Sequence, residues 1–246
     1  MTPPVPGVPV EVAVPSTGTP GLRGWIARPD GEGPWPAVVV VHEVFGVDDI
    51  MKRQLTRLAQ AGFLALMPDL FAAGGPRRCL VSTLRALRSG HGRAYQDLEA
   101  ARELLVTHPD STGRVGVIGF CMGGGFALMT ATRGFEAAAA NYGQVPADPV
   151  HTLAGACPVL GTYGGSDRLL GARQPRKLER ALADAHVEHE VDVYPGAGHS
   201  FLNDVPFGGA LGPVYRVLNV GPDPDAASQA WPRIEAFLHA HLDAPR

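Results

Sequence analysis

The chain carries the hexapeptide Gly119-Phe120-Cys121-Met122-Gly123-Gly124. An apolar run at 115–118 precedes it, and a helix-like segment at 126–132 follows it. This order predicts a strand, a sharp turn framed by glycines, and then a helix. The pattern is that of a G-x-S-x-G nucleophile elbow in which cysteine occupies the usual place of serine.

Cys121 is the candidate nucleophile of this elbow. The partial positive charge at a helix N-terminus favours a thiolate over a thiol. The flanking glycines allow a sharp turn and leave space for an incoming substrate. The alternative is an inert, buried cysteine, since free cysteine is among the most buried residue types. The glycine frame favours the nucleophile.

Apolar runs and helical periodicity alternate along the chain from residue 37 onwards. Buried-strand patterns occur at 37–42, 63–67, 115–119, 137–142, 158–163 and 190–194. Helical patterns occur at 49–61, with Asp48 or Asp49 as the cap, and at 95–106, 175–185 and 226–242. Strand patterns at 8–14 and 21–27 predict an antiparallel N-terminal hairpin at a sheet edge. The sequence therefore predicts an α/β fold, with a mainly parallel twisted sheet and helices on both faces.

The composition is typical of one α/β domain, which we expect to span residues 1–246. The formal net charge is −3 and no basic run occurs, so we expect no nucleic-acid and no membrane partner. No apolar run reaches the roughly 18 residues that a membrane helix needs. Residues 1–10 are rich in proline and lack a basic region, so we expect no secretory signal. Three cysteines without a C-x-x-C motif favour reduced thiols and a cytoplasmic location.

Two further reactive residues follow predicted strands. Asp167 comes after the strand at 158–163, and His199 stands on a glycine-containing loop after the strand at 190–194. Active sites collect at the carboxyl ends of parallel strands, so His199 is well placed as a general base and Asp167 as its partner. The chain order Cys121, Asp167, His199 is that of α/β-hydrolase triads.

Each of these two residues also has a structural interpretation. The aspartate could cap a turn or helix, and the histidine could be one of several on the surface. Asp192 is a rival acid, but it falls inside a strand pattern. We interpret His42, which ends a buried strand, as structural.

The loop after the strand at 37–42 supplies two further candidates. We expect the backbone N–H groups of Met122 and Val44 to form the oxyanion hole. Glu43 should point into the site, where its carboxylate would oppose a nearby thiolate yet could accept the proton of Cys121. The alternative is an exposed loop glutamate.

Six motifs, taken together, resemble the dienelactone hydrolase family. They are His42-Glu43-Val44-Phe45-Gly46, Pro68-Asp69-Leu70-Phe71, the elbow hexapeptide, Tyr142-Gly143, Gly165-Ser166-Asp167 and Ala197-Gly198-His199-Ser200-Phe201. The resemblance implies an α/β-hydrolase fold, a Cys-Asp-His triad, and a Glu43 that holds the resting thiol until an anionic substrate displaces it. It implies a small-molecule ester or lactone substrate and no metal or organic cofactor.

The substrate-binding residues are the part of the resemblance that departs from the family. The founding enzymes carry an arginine four residues past the catalytic histidine, and this chain has Asn203 there. Arg77 and Arg78, together with Arg93, are the cations near the segment that follows Phe71. We also expect substrate contacts from Phe45 and Tyr142, the two aromatic residues of the matching motifs, and a pocket reshaped by the long segment at 204–225.

The sequence therefore predicts a hydrolase of a carboxylic ester or lactone that acts through a Cys-His-Asp triad and an acyl-enzyme. Two alternatives stay open. One is a broad carboxylesterase. The other is a non-catalytic protein of the same fold that binds a ligand or senses redox state through its thiol.

Overall fold

An eight-stranded sheet forms the centre of the computed structural model, which describes residues 8–207 and 212–243. Its strands are β1 Val10–Ala13, β2 Arg23–Ala27, β3 Trp35–Val41, β4 Leu64–Pro68, β5 Ser111–Phe120, β6 Ala138–Asn141, β7 Val159–Gly164 and β8 His189–Tyr194. Their order across the sheet is β1-β2-β4-β3-β5-β6-β7-β8. Strands β3 to β8 run parallel, and β2 pairs antiparallel with β1 and β4. The predicted mainly parallel sheet with an edge hairpin is confirmed.

Helices cover both faces of this sheet. They are α1 Asp49–Gln60, α2 Pro76–Ser89, α3 Arg93–Val106, α4 Met122–Thr130, α5 Pro149–Leu153, α6 Arg173–Asp184, α7 Gly212–Val217 and α8 Pro224–Leu242. Helices α1 and α8 contribute to one hydrophobic core cluster, and α3, α4 and α6 contribute to the other. None of the helices in the described ranges is both long and apolar enough to cross a bilayer. The first seven residues of the proline-rich start, for which no secretory signal was predicted, lie outside those ranges.

Helix α2 was not predicted from the sequence. Gly75 precedes it with φ +77° and no side chain caps its first turn, so Pro76 at the first helical position is the one start signal present. Only Cys79, Thr83 and Leu87 are buried along it. Val81 is exposed, which blurs the apolar stripe by which an amphipathic helix is recognised.

The elbow between β5 and α4 depends on glycines that pack without side chains. A Cβ atom on Gly119 would lie 1.9 Å from the carbonyl oxygen of Gly123, and one on Gly123 would lie 2.0 Å from that of Val41. The first turn of helix α4 therefore packs directly against the backbone at the ends of β3 and β5. Cys121, between strand and helix, takes the uncommon backbone angles φ 55° and ψ −114°. This strained turn holds the thiol at the carboxyl edge of the sheet.

We predict that Gly123→Ala lowers the free energy of unfolding by about 3 kcal/mol or more, at the upper end of overpacking costs, because the new Cβ meets rigid backbone. Gly196→Ala is the matched control. A Cβ atom on Gly196 would meet nothing within 4 Å, and the φ of Gly196 lies outside the left-handed region, so a change within about 0.5 kcal/mol is expected. Denaturant unfolding measures both, and equal stability of the two variants would contradict the packing argument.

Candidate active site

Four loops at the carboxyl edge of the sheet bring the predicted catalytic residues together. Glu43 follows β3, Cys121 follows β5, Asp167 follows β7, and His199 follows β8. Because these strands run parallel, their carboxyl ends meet at one edge. The four side chains belong to segments that are far apart in sequence and are brought together only by the strand order.

Asp167 and His199 form a buried pair. The Asp167 Oδ2 atom lies 2.7 Å from His199 Nδ1, and both side chains are almost fully buried. The other carboxylate oxygen accepts hydrogen bonds from the backbone N–H groups of Leu169 and Leu170, at 2.8 and 2.9 Å. Asp167 therefore both caps a turn and orients the histidine. The rival Asp192 instead pairs with the exposed Arg233 at 3.1 Å.

The charge of the His199 imidazolium is stabilised inside the protein. Burial opposes that charge, but the hydrogen bond to Asp167 and the nearby Cys121 outweigh burial and raise the pKa of His199 to about 10. Burial likewise opposes the ionised form of Asp167, yet its hydrogen bond to His199 keeps the Asp167 pKa below its usual value. Each partner thus favours the charged form of the other.

Cys121 is partly exposed, while the His199 nitrogen next to it is not. His199 Nε2 is buried and makes no hydrogen bond to any residue that the structure describes. Cys121 is close enough to raise the pKa of His199, although the two do not reach hydrogen-bond geometry. Catalytic hydrogen bonds are often loose without substrate and tighten in the complex.

Glu43 is buried, so its interpretation as an exposed loop residue is wrong. Its carboxylate accepts hydrogen bonds from Ser200 Oγ at 2.9 Å and from Asn203 Nδ2 at 3.4 Å. Burial raises the pKa of Glu43, and this effect exceeds the opposing influence of His199 and the two donors. Within the described ranges, no hydrogen bond joins Glu43 to the Cys121 thiol.

Tyr142 lies beside Glu43, Cys121 and His199. Its ring packs edge-on against that of His199, with centroids 5.2 Å apart, and its backbone takes a positive φ of 39°. Burial and the nearby Glu43 and Cys121 raise the Tyr142 pKa well above its usual value. The buried hydroxyl has no hydrogen-bond partner of ordinary geometry among the described residues. It is therefore an unused donor beside the thiol and the carboxyl.

The two predicted oxyanion donors come from neighbouring segments. Met122 is the first residue of α4, so its N–H has no acceptor within the helix. Val44 lies in the turn closed by the 3.1 Å hydrogen bond from Gly46 N–H to the Glu43 carbonyl. Neither N–H group donates a hydrogen bond to a residue within the described ranges, and the oxyanion role of both stays a prediction.

His42 orders the start of this turn. Its Nδ1 atom lies 2.7 Å from the Glu43 carbonyl oxygen, and its Nε2 atom accepts a hydrogen bond from the backbone N–H of Leu70 at 3.1 Å. Both ring nitrogens are thus occupied by backbone groups. The structural interpretation of His42 is confirmed.

The residues predicted to contact the substrate differ in how deeply they are buried. Asn203 is buried against Glu43, whereas Arg77 and Arg78 are exposed on the first turn of α2 and form no ion pair with the described residues. Phe45 is 39% exposed and packs against Phe207 of the 204–225 segment. These four roles stay predictions.

The structure also reveals contacts that sequence reasoning missed. Ser200, quoted within a motif, received no role although it donates to Glu43. Phe207 and Tyr215 received none, although both rings pack on Phe45, with centroids 4.7 and 6.2 Å away. Two aromatic residues in a segment rich in glycine and proline are the signal that could have marked this contact.

Comparisons with known proteins agree with these observations. The model of the dienelactone hydrolase family matches residues 22–242. A Yersinia pestis protein provisionally named a carboxymethylenebutenolidase is 34% identical over 212 residues, which cover 79% of each chain. A relative of the same provisional name from Methylorubrum extorquens is 31% identical over 241 residues, covering 89% of this chain and 77% of that one. The crystal structure of a provisionally assigned dienelactone hydrolase from Klebsiella pneumoniae has a TM-score of 0.77 at 28% identity, covering 94% of this chain and 98% of that one.

We predict that His199 titrates near pH 10 in the native protein and at lower pH in Cys121→Ser, because serine removes the negative charge that helps to hold the imidazolium. Nuclear magnetic resonance of the imidazole nitrogens measures this titration directly. Cys157→Ser is the matched control, since it removes a different thiol. A His199 titration that does not differ between Cys121→Ser and the native protein would contradict the electrostatic coupling.

Proposed function

The chain belongs to the dienelactone hydrolase family and is a hydrolase of ester bonds, and we propose that Cys121 is its nucleophile. The bond that it attacks is that of a carboxylic ester or lactone. The observation that carries the proposal is the buried Asp167–His199 pair at the sheet edge that also holds Cys121. A thiolate beside an oriented imidazolium is a competent nucleophile at neutral pH. The substrate is a small molecule.

The first half of the reaction forms an acyl-enzyme. The Cys121 thiolate attacks the carbonyl carbon, and the carbonyl oxygen becomes an oxyanion that accepts hydrogen bonds from the N–H groups of Met122 and Val44. The intermediate then expels the alcohol oxygen, which takes a proton from His199. In a lactone this oxygen remains attached to the acyl group, so the ring opens while the thioester forms.

The second half releases the acid. His199, now neutral and oriented by Asp167, removes a proton from water, and the hydroxide attacks the thioester carbonyl. Collapse of this second intermediate expels the Cys121 thiolate and leaves the imidazolium in place. The thiolate and the imidazolium are thereby restored for the next cycle.

Glu43 is proposed to accept the proton of Cys121 when the reactive thiolate first forms. Its carboxyl is buried near His199 and near Tyr142, which is also close to Cys121, and burial keeps the pKa of Glu43 raised. A neutral carboxyl does not repel a thiolate, whereas an ionised one does. Protonation of Glu43 would therefore favour the reactive state, with the proton of Cys121 as its source.

A broad carboxylesterase and a non-catalytic binding protein were the alternatives drawn from the sequence. The Asp167–His199 pair favours catalysis, because a binding protein needs no imidazole that is both buried and oriented by an acid. A broad esterase would use the same chemistry and differ only in the substrates it accepts.

We predict that Cys121→Ala stays folded and loses ester hydrolysis by about 10⁴-fold or more, the scale seen when a triad nucleophile is removed. Cys157→Ala is the matched control and should retain near-native activity, because Cys157 lies outside the site. Initial rates with 4-nitrophenyl butyrate, with folding checked by circular dichroism, measure both. Native-like rates in Cys121→Ala would contradict the proposal.

We predict that Asp167→Asn lowers kcat by about 10⁴-fold with little change in KM, because the amide no longer orients the histidine or stabilises its charge. Asp192→Asn is the control, since Asp192 pairs with Arg233 at the surface. Steady-state kinetics with the same ester measure both variants. A larger loss of kcat in Asp192→Asn than in Asp167→Asn would contradict the assignment of Asp167 as the partner of His199.

A further inference from the structure

The carboxyl group of Glu43 is held without a basic side chain. Its two hydrogen-bond donors, Ser200 and Asn203, are both neutral. No ion pair among the described residues includes Glu43. His199 is the one cation among the proposed catalytic residues, and its imidazolium already interacts with Asp167 and Cys121. Among the described residues no arginine or lysine is buried, so none of these side chains is available inside the site to neutralise a second negative charge beside Glu43.

The remaining buried polar groups next to Glu43 are neutral as well. Tyr142 Oη and Asn203 Oδ1 are buried and have no hydrogen-bond partner among the described residues. The Tyr142 hydroxyl can donate a hydrogen bond to an ester or lactone oxygen, and Asn203 Oδ1 can accept one from a hydroxyl group. A carboxylate buried there would meet the carboxyl group of Glu43 and the lone pairs of Asn203, and its one neutral donor, the Tyr142 hydroxyl, would not offset the cost of its desolvation. Arg77 and Arg78 are exposed on α2, outside this buried set.

An aromatic cluster formed by Phe45, Phe207 and Tyr215 adjoins the predicted oxyanion turn. Phe45 directly follows Val44, and its ring packs on Phe207 with centroids 4.7 Å apart. The Tyr215 ring of α7 contacts both, at 6.2 and 5.4 Å. Phe45 remains 39% exposed, so part of this aromatic surface is free to contact a ligand.

The segment that contains Tyr215 is hydrogen-bonded to the loop that contains His199. The backbone N–H of His199 donates to the Asn219 carbonyl at 2.8 Å, and the N–H of Gly221 donates to the His199 carbonyl at 2.9 Å. Arg168, beside Asp167, donates to the Val217 carbonyl at 2.9 Å. Hydrogen bonds thus connect the segment of the aromatic cluster to the loops that contain His199 and Asp167. A wall of the substrate pocket is expected to have such connections to the catalytic loops.

We infer that this protein takes uncharged carboxylic esters or lactones, and that an aryl or other bulky apolar group of the substrate binds against the cluster of Phe45, Phe207 and Tyr215. The inference rests on the proposed function, because it names the substrate class of the same site. It differs from what the relatives' names state, since a carboxymethylenebutenolide carries a carboxylate.

The charge part is tested with two esters of the same alcohol and the same acyl length. The native protein should hydrolyse 4-nitrophenyl butyrate with a kcat/KM about tenfold or more above that for mono-4-nitrophenyl succinate, because the succinate carboxylate finds no partner. Asn203→Arg supplies a cation beside Glu43 and should reduce that preference, while Arg77→Ala with Arg78→Ala should leave it unchanged.

Three outcomes would overturn the inference, and they can be told apart. Equal or better hydrolysis of the succinate by the native protein would contradict the charge argument. An anionic preference that disappears in the Arg77→Ala, Arg78→Ala protein would assign the carboxylate to those exposed cations instead. Failure to hydrolyse either ester would overturn the proposed function, and this inference with it.

The aromatic part is tested by the ratio of two rates, which cancels the intrinsic reactivity of each ester. Phe207→Ala should lower kcat/KM for 4-nitrophenyl phenylacetate relative to 4-nitrophenyl acetate, or for benzyl acetate relative to ethyl acetate, by about three- to tenfold, the worth of an aromatic contact. Tyr215→Ala is a second variant of the same cluster. Val217→Ala, on the same helix with a 68% exposed side chain, is the matched control. Unchanged ratios for both substrate pairs in folded Phe207→Ala and Tyr215→Ala would overturn the subsite.

Discussion

The close approach of helix α4 to the ends of β3 and β5 is the constraint on which the site depends. Gly119 and Gly123 leave no room for a Cβ atom, so helix and strands meet backbone to backbone. This contact lies next to Cys121, whose backbone is strained, and to Met122, whose N–H has no acceptor within the helix because it opens the first turn. It also places the start of α4 against the backbone of Val41 and His42, which directly precede the turn that contains Val44. A side chain at either glycine would separate these groups.

Much of this arrangement could be predicted from the sequence, because the decisive signals are local. Continuous apolar runs marked the parallel strands, and Asp48, one of two predicted caps, does cap α1 through the N–H of Met51. The buried Asp167–His199 pair joins two residues singled out from their positions at strand ends. Helix α2 was missed because its start lacks a side-chain cap and its apolar residues face both inward and outward.

The surroundings of Glu43 could not be predicted, because they join residues that only the fold brings together. Ser200 and Asn203 lie 157 and 160 positions from Glu43 along the chain, and they are its hydrogen-bond donors. The same applies to Phe45 and Tyr215, which meet across the edge of the site. A motif identifies a carboxyl group, but its protonation follows from burial and from the charge of its partners. The substrate class that we infer depends on these long-range contacts, which no local motif shows.

The central claim is that Cys121 carries the acyl group during hydrolysis, and a rapid acid quench during turnover of 4-nitrophenyl butyrate tests it most directly. Peptide mapping by mass spectrometry should then find a butyryl thioester on the peptide that contains Cys121, and the signal should disappear after the substrate is exhausted. Hydrolysis at the native rate with the butyryl group on another residue would contradict the account. So would a quench time course in which no acylated protein forms while the ester is consumed.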